Sequence, residues 1–318
     1  MLGVLNKIKK IVTNSETRFY VLNSMGAYNN MPDKKFLEKA FLSNMGKKLN
    51  LDNPKTFNEK LQWLKLYNRK PEYTMMVDKY KVREYIARKL GEEYLIPLLG
   101  VWDSPDDIDF SKLPNQFVLK CNHNSGLGMY ICKDKKKLTL KDINDIRRNL
   151  AKGLAQDYYL MGREWPYRDV QRKIICEKYM EDSSVENQKT RCNVGKLTDY
   201  KFFCFDGYVD CVMVCLDRFS SETKFYFFDR DWNLKRLNIR GKEASEGFTL
   251  PKPECMDAMF DVAATLSRGL PFARIDLYQS NGCIYFGEIT FFPDSGFDAN
   301  ILREADEYWG SLLTLPSR

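Results

Sequence analysis

The spacing of apolar and polar residues changes character several times along the chain, and each change marks an element. Residues 1–50 read as mostly helical and basic, with breaks near Asn29-Asn30 and Pro32-Asp33. Thr56-Phe57-Asn58-Glu59-Lys60 opens a further helix, in which Phe57, Leu61, Trp63, Leu64 and Leu66 form an apolar stripe of core type. Asp78 is placed to cap a helix running toward Gly91. A strand is expected over residues 94–99, followed by an acidic loop over 103–109. Residues 117–120 and 129–132 read as two strands joined by a small polar loop, and 135–156 as a charged linker and helix. Strands follow at 173–180, 199–205, 208–217 and 224–228, with Asp206-Gly207 as the turn between the second and third. Residues 238–247 read as a mobile loop, 254–268 as a helix punctuated by Pro253 and Gly269, and 299–308 as a final helix.

One hairpin concentrates the chemistry. Two β-prone runs, 273–278 and 283–289, flank Gln279-Ser280-Asn281-Gly282, and an Asn-Gly pair in that position is a strong hairpin signal. Alternate residues of a strand share a face, so Arg274 and Asp276 point one way, and Glu288 and Thr290 share a face on the neighbouring strand. Two carboxylates, a hydroxyl and a guanidinium then converge. Mg²⁺ ions that bridge nucleotide phosphates use one or two carboxylates of this kind. The alternative is a solvated face of a surface hairpin, which strands this apolar rarely present.

Composition narrows the function classes. The chain has 318 residues, enough for about two domains and a sizeable core. Its net charge of +7 is too mild for a dedicated nucleic-acid binder and suits a holder of polyanions such as ATP or acidic sugars. Nine cysteines form no CxxC pair and there is one histidine, His123, so zinc-site spacing is absent and a reducing, cytoplasmic setting is expected. No run has the apolar length of a membrane span. Residues 1–12 read as a short basic amphipathic helix, which either packs on protein or rests on an anionic membrane surface.

The loop between the strands at 117–120 and 129–132 is the second informative stretch. Lys120 ends a strand and precedes Asn124-Ser125-Gly126-Leu127-Gly128-Met129, a composition that lets backbone amides approach phosphate oxygens while the lysine neutralises them. It is not a Walker A loop, because GxxxxGK[ST] is absent and the lysine comes first. A plain hairpin turn reads equally well at this point. Asp229-Arg230-Asp231 has the DxD spacing of nucleotide-sugar transferases but falls where a turn is expected ahead of Trp232.

Taken in order, these stretches resemble the ATP-grasp superfamily: Lys120 and the Ser/Gly loop, then Glu177-Lys178-Tyr179, then Lys201, then Arg274, Asp276, Glu288, Thr290 and Pro293. Within it, the chain resembles the TupA-like (teichuronopeptide biosynthesis-like) proteins of bacterial surface polysaccharide clusters. That likeness is carried by Phe57-Asn58-Glu59-Lys60-Leu61-Gln62-Trp63-Leu64, Asp78-Lys79-Tyr80, the run from Leu113 to Lys120, Arg163-Glu164-Trp165-Pro166-Tyr167 and Asp199-Tyr200-Lys201-Phe202-Phe203. The resemblance implies an α+β chain of the ATP-grasp fold, with two α+β subdomains clasping ATP between antiparallel sheets. Residues 1–70 would be a helical extension, 71–115 a preceding segment, 116–180 the small subdomain and 181–318 the large one.

The resemblance also implies roles. Lys120 and Lys201 hold the phosphates and lie near the adenine. Asn124, Ser125 and Gly126 form a lid over them. Glu177, Lys178, Tyr179 and Met180 form the hinge at the adenine edge, with Asp182 on the ribose. Asp276 and Glu288 bind Mg²⁺, and Thr290, which stands where many members have Asn, is the third candidate ligand, directly or through water. Arg274, with Arg218 as a second candidate, steadies the transferring phosphoryl group, and Pro293–Gly296 lines the acceptor pocket. The implied reaction is ATP-dependent amide formation through an acyl-phosphate, between an amino compound and a uronic-acid-type sugar or polysaccharide acceptor. No nucleic acid is expected as partner, and the location expected is the cytoplasm, with residues 1–12 as a contact to the inner face of the membrane. Two alternatives stay open: a transferase of the same pathway (glycosyltransferase or sugar kinase), and a non-catalytic ATP-binding scaffold.

Overall fold

The computed structural model describes residues 14–181, 197–216 and 223–317. The helix expected at residues 1–12, the ribose candidate Asp182 and the second arginine, Arg218, lie outside the described residues. The class is α+β, as expected, with helices around two antiparallel sheets.

The chain begins with α1 (Ser15–Ser24), α2 (Asp33–Met45) and α3 (Phe57–Tyr67). Helix α3 starts at a reciprocal cap: Glu59 N donates to Thr56 Oγ1 at 3.4 Å, and Glu59 Oε2 accepts from Thr56 N at 3.1 Å. Two shorter helices follow, α4 (Glu72–Val77) and α5 (Val82–Lys89). Asp78 caps the turn just ahead of α5, its Oδ1 accepting from Tyr80 N at 2.9 Å and Lys81 N at 3.2 Å. The strand expected at 94–99 forms later, as β1 (Leu98–Trp102), because residues Glu92–Tyr94 close a 3₁₀ turn and Pro97 has no N–H to give a ladder.

The first sheet has the order β1-β4-β2-β3, where β2 is Phe117–Cys121, β3 Tyr130–Cys132 and β4 Ile174–Lys178. Helix α6 (Leu140–Ala155) covers its back, burying Ile146 and Leu150 with Phe117 and Leu119. Beyond α6, the single turn α7 (Tyr159–Gly162) leads to Arg163, which is buried and donates to the carbonyls of Tyr28 at 2.7 Å and Met31 at 3.2 Å. That side chain ties the N-terminal helices to the turn that follows.

The second sheet runs β10-β9-β5-β6-β7-β8. Its strands are β5 (Asp199–Phe205), β6 (Tyr208–Leu216), β7 (Lys224–Phe228), β8 (Leu234–Lys235), β9 (Ala273–Ser280) and β10 (Cys283–Thr290). Both expected turns carry two successive left-handed residues, Asp206 and Gly207 (φ 47° and 85°) and Asn281 and Gly282 (φ 52° and 80°), which matches the twist of a two-residue hairpin. The expected loop at 238–247 instead contains α8 (Ile239–Glu243), started by Asn238, whose Oδ1 accepts from Gly241 N at 2.8 Å. Helix α9 (Met256–Ser267) packs behind the sheet, with Phe260 edge-on to Phe202 at 5.1 Å.

The last helix, α10 (Arg303–Leu312), begins four residues later than expected, because Ile301 is spent on a β-bridge to Asn238. It brings Trp309 into the centre of the core, stacked on Phe203 at 4.6 Å and edge-on to Phe57 at 5.4 Å. Deleting so large a buried ring costs about 3–5 kcal/mol. Among the described residues no helix is long and apolar enough to cross a membrane.

Candidate active site

The two sheets face each other across a cleft of about 440 Å³. Strand alternation sends Val118, Lys120 and Ile131 of the first sheet into it, while Phe117 and Leu119 go to the core. Glu177, Lys178, Tyr179 and Met180 line one side, and Tyr278 enters from β9. The walls are apolar and the rim carries lysines, which fits a planar base with a charged tail. Lys120 is paired with Glu177 at 2.6 Å, and Arg83 of α5 reaches the same carboxylate at 3.7 Å.

The loop after β2, the expected lid, divides its three candidate residues between surface and interior. Ser125 and Gly126 are exposed at its tip, and a Cβ at Gly126 would meet nothing, so only the left-handed backbone (φ 83°) asks for glycine there. Asn124 points inward instead. Its side chain is buried and donates to Gln156 Oε1 at 3.0 Å and to Gly153 O at 3.2 Å, at the end of α6. These bonds anchor the loop to the end of α6. Its own carbonyl accepts from Lys79 Nζ at 2.8 Å.

Beyond the loop lies the charged end of the cleft. On β9, Arg274 grips Asp276 with two bonds, Nε to Oδ1 at 2.7 Å and Nη2 to Oδ2 at 2.8 Å. The same Nη2 reaches Thr290 Oγ1 at 3.1 Å and Glu288 Oε1 at 3.4 Å on β10. Lys201 on β5 stands opposite Asp276, bonds to it, and bonds Asp199 at 2.7 Å. Lys79 completes the group, 3.5 Å from Glu288. The hairpin reaches this arrangement through a bulge. Phe286 pairs with Leu277 but Glu288 pairs with Asp276, leaving Gly287 as the extra residue. Phe286 and Glu288 are two apart, yet one faces the core and the other the cleft. A Cβ on Gly287 would lie 2.8 Å from the Tyr278 ring and 2.9 Å from Asp276 O.

The electrostatics follow from this crowding. Burial raises the Asp276 carboxyl, against the pull of Arg274 and Lys201. Burial is the largest influence on Lys201 and Arg274 as well and opposes their charge, but the carboxylates of Asp276, Asp199 and Glu288 together outweigh it and raise both. For Glu288 burial is again opposed, and Lys79, Lys201, Arg274 and Lys120 together hold the carboxyl well below the ordinary glutamate range.

These residues fit a Mg²⁺ ion shared with phosphates and not one held by protein alone. No group of three or more His, Cys, Asp or Glu side chains that could hold a metal is present among the described residues. Asp276 and Glu288 supply two hard oxygen donors on one face, leaving the remaining positions to phosphate and water. The Thr290 hydroxyl, the third candidate ligand, accepts a hydrogen bond from Arg274.

The structure thus brings together Lys120 and Glu177 at one end and Lys201, Arg274, Asp276, Glu288 and Thr290 at the other. Lys79, Arg83 and Asp199 were not anticipated. Asp199 was within reach of the alternation rule, being two residues from Lys201 on one strand. Lys79 stood in the Asp78-Lys79-Tyr80 stretch with no role attached to it, and Arg83 carried no comparable signal. Asp229-Arg230-Asp231 forms a turn between β7 and β8, at the edge of the sheet opposite β10, with Asp229 Oδ1 accepting from Asn233 N at 2.7 Å.

No curated protein sequence matches the chain. Among solved structures, it is similar to D-alanine–D-alanine ligase from Bacillus anthracis complexed with ATP, at 13% identity and a TM-score of 0.42, over 74% of this chain and 60% of that one. It is also similar to the D-cycloserine synthetase DcsG (14%, TM-score 0.41, 76% and 71%) and to the ATP-grasp ligase PsnB with Mg and ADP (12%, TM-score 0.41, 91% and 72%). The chain spans 60% of the length of the first of these, and all three likenesses are too loose to argue from. The family profile described as TupA-like ATPgrasp, in contrast, matches residues 59–314, most of the chain and all of the cleft residues named above. The chain belongs to the TupA-like ATP-grasp family.

Proposed function

We propose that this ATP-grasp protein is an ATP-dependent carboxylate–amine ligase of bacterial surface polysaccharide synthesis, capsular or teichuronic in type. Its acceptor is a uronic-acid-type sugar or polymer, its second substrate an amine, and its place the cytoplasm, with residues 1–12 as a contact to the membrane face. The observation that carries the reading is the single line of chemistry along the cleft. An apolar slot at Tyr179 and Tyr278 leads past Lys120 to the cluster of Lys79, Arg274, Asp276 and Glu288.

In this reading Lys120 and Lys79 neutralise phosphate oxygens, and the exposed tip at Ser125-Gly126 lets backbone amides approach them. Arg274 faces the charge that builds on the transferring phosphoryl group. Mg²⁺ held by Asp276 and Glu288 would supply charge neutralisation between the phosphates. A substrate carboxylate oxygen takes the γ-phosphoryl group, ADP leaves, and the acyl-phosphate then gives its acyl group to an amine. The chain needs no side-chain nucleophile for this.

The test is release of ADP and phosphate from MgATP, with glucuronate and galacturonate crossed against amino acids and amino sugars. Release that requires both a carboxylate and an amine, and disappears in Asp276→Asn and Glu288→Gln while those variants stay folded, supports the ligase. Release with a sugar alone is the signature of a kinase. Sugar transfer from an added nucleotide sugar that survives both variants and stops on changing Asp229 or Asp231 identifies a nucleotide-sugar transferase. ATP binding without release under any acceptor is the outcome for a scaffold.

A further inference from the structure

A second cavity, of about 270 Å³, lies outside the cleft, where α1 and the turn after it meet the junction of α6 and α7. One wall comes from residues 20–29, ahead of the stretch that the family profile matches, and the other from residues 156–161 within it. Asn23 ties the walls together, its Nδ2 donating to Met161 O at 3.0 Å. Tyr20 and Met161 line the cavity and are still 59% and 47% exposed, so an apolar rim faces solvent.

The lining suits a neutral, polar ring. Leu160 and Met161 supply apolar surface, Tyr20 an aromatic ring, and Asn23, Asn29 and Gln156 their amides. Among the described residues neither lysine nor arginine lines the cavity, and its one carboxylate, Asp157, is already bonded to Arg172. A phosphate or a uronate finds no counter-charge there. The volume falls below the roughly 300–1,000 Å³ of sites for drug-sized ligands, which leaves room for one ring and not for a nucleotide. A sugar ring has the matching surfaces: C–H faces for Tyr20 and Met161, and hydroxyls for the amides.

Both ends of the reaction site are joined to this cavity. Gln156 Oε1 accepts from Asn124 Nδ2 at 3.0 Å, and Gln156 O lies 3.1 Å from His123 Nε2, so one wall carries the root of the loop after β2. Met161 leads to Gly162, which packs so closely on the turn Pro293–Gly296 that a Cβ there would lie 2.2 Å from Ser295 Oγ. Lys65 of α3, with no exposed surface, donates to Gly162 O at 2.7 Å and Ser295 O at 2.6 Å. Ser295 Oγ donates to Glu164 Oε1 at 2.7 Å. The locked turn begins three residues after Thr290, beside the charged end of the cleft.

We propose that this cavity binds a neutral sugar ring, a unit of the acceptor chain other than the one that reacts. The assignment to the acceptor rests on the polysaccharide ligase reading, whereas the binding itself does not. An acceptor that reaches Arg274 with its carboxylate is then held at a second point, on the outer side of the same walls.

Saturation-transfer NMR on the full chain tests the binding with glucose, galactose, mannose, N-acetylglucosamine and N-acetylgalactosamine. At least one of these should bind wild type saturably. Tyr20→Ala and Asn29→Ala, both at exposed positions, should each weaken it about tenfold or more, and Asp276→Asn should leave it unchanged. If Tyr20→Ala fails to fold, Asn29→Ala carries the comparison. Absence of any saturable neutral sugar in wild type overturns the proposal, as does binding that both variants keep at wild-type strength. ADP release then tests the assignment. A uronate linked to the sugar that binds should show a KM about tenfold below that of the free uronate, and Tyr20→Ala should erase the difference with kcat on free uronate unchanged. Equal KM values in wild type overturn the assignment to the acceptor. No release with either acceptor overturns the ligase reading, while loss of sugar binding in the two variants still upholds the cavity as a sugar site.

Discussion

Asp210 and Asp276 belong to the same sheet, are 3% and 1% exposed, and each bonds a lysine. Asp210 accepts from Lys235 and Tyr308 at 2.6 Å and from Trp309 Nε1 at 2.9 Å, so two of its three partners are neutral donors fixed on α10. Its bonds end there and hold the sheet to the last helix. Asp276 also has its oxygens taken, but its partners pass their charge on: Arg274 to Thr290 and Glu288, Lys201 to Asp199. Burial and pairing alone therefore do not distinguish a structural carboxylate from a working one. What does is surplus: the second cluster has more charge than its own satisfaction requires, and it opens on a cleft.

Exchanging the acid for its amide at each place tests that contrast most severely. Asp276→Asn should lower carboxylate-dependent ADP release per folded molecule on the order of a thousandfold, and should also cost about 3 kcal/mol of stability as Arg274 and Lys201 lose their shared carboxylate. Asp210→Asn should cost a similar amount of stability, about 3 kcal/mol as Lys235 loses its partner, but leave ADP release per folded molecule unchanged. Equal activity losses in the two variants would dissolve the comparison.

A smaller effect comes from Lys79, which joins the loop to the cluster through Asn124 O and Glu288. Lys79→Met should weaken ATP binding about tenfold in calorimetry, the worth of one charged hydrogen bond. An affinity equal to wild type would leave the loop and the cluster as separate devices.

The finest test is in acid. The Glu288 carboxyl is depressed in the folded state, so the unfolded chain binds more protons as pH falls through the ordinary value of 4.5. Its contribution to stability is complete above that pH and declines below it. Denaturant curves of wild type and Glu288→Gln should then differ by a constant amount above pH 4.5 and converge below it. A gap that widens on acidification would contradict the placement of Lys79, Lys201 and Arg274 around Glu288.

Much of this arrangement was legible in the chain because strands and hairpins have short-range rules. Asn281-Gly282 fixed the turn, and alternation alone put Arg274 with Asp276 and Glu288 with Thr290. Glu164 stood in a recognisable aromatic turn, but nothing local says that a carboxylate there meets Ser295, 131 residues later. Lys79 escaped for the same reason, since the bond from Asn122 Nδ2 to Asp78 Oδ1 at 2.8 Å, across the sequence, sets its neighbourhood. Asn124 suited a phosphate loop by composition, and nothing local in the chain announces its bonds to Gly153 O and Gln156 Oε1, about thirty residues on. The late start of β1 came from Pro97, whose effect on pairing outweighed the apolar run around it.

Position 287 turns the usual hierarchy of mutations around. A point change to alanine pushes a methyl group into the Tyr278 ring and the Asp276 carbonyl, and so into the wall of the cleft. A single-residue deletion there closes the ladder instead, with Tyr285 still across from Tyr278 and Glu288 still across from Asp276. What the deletion gives up is the local bend. At this one site an indel is the conservative change and a substitution the disruptive one, so lineages that vary in length here are expected to keep their charges aligned.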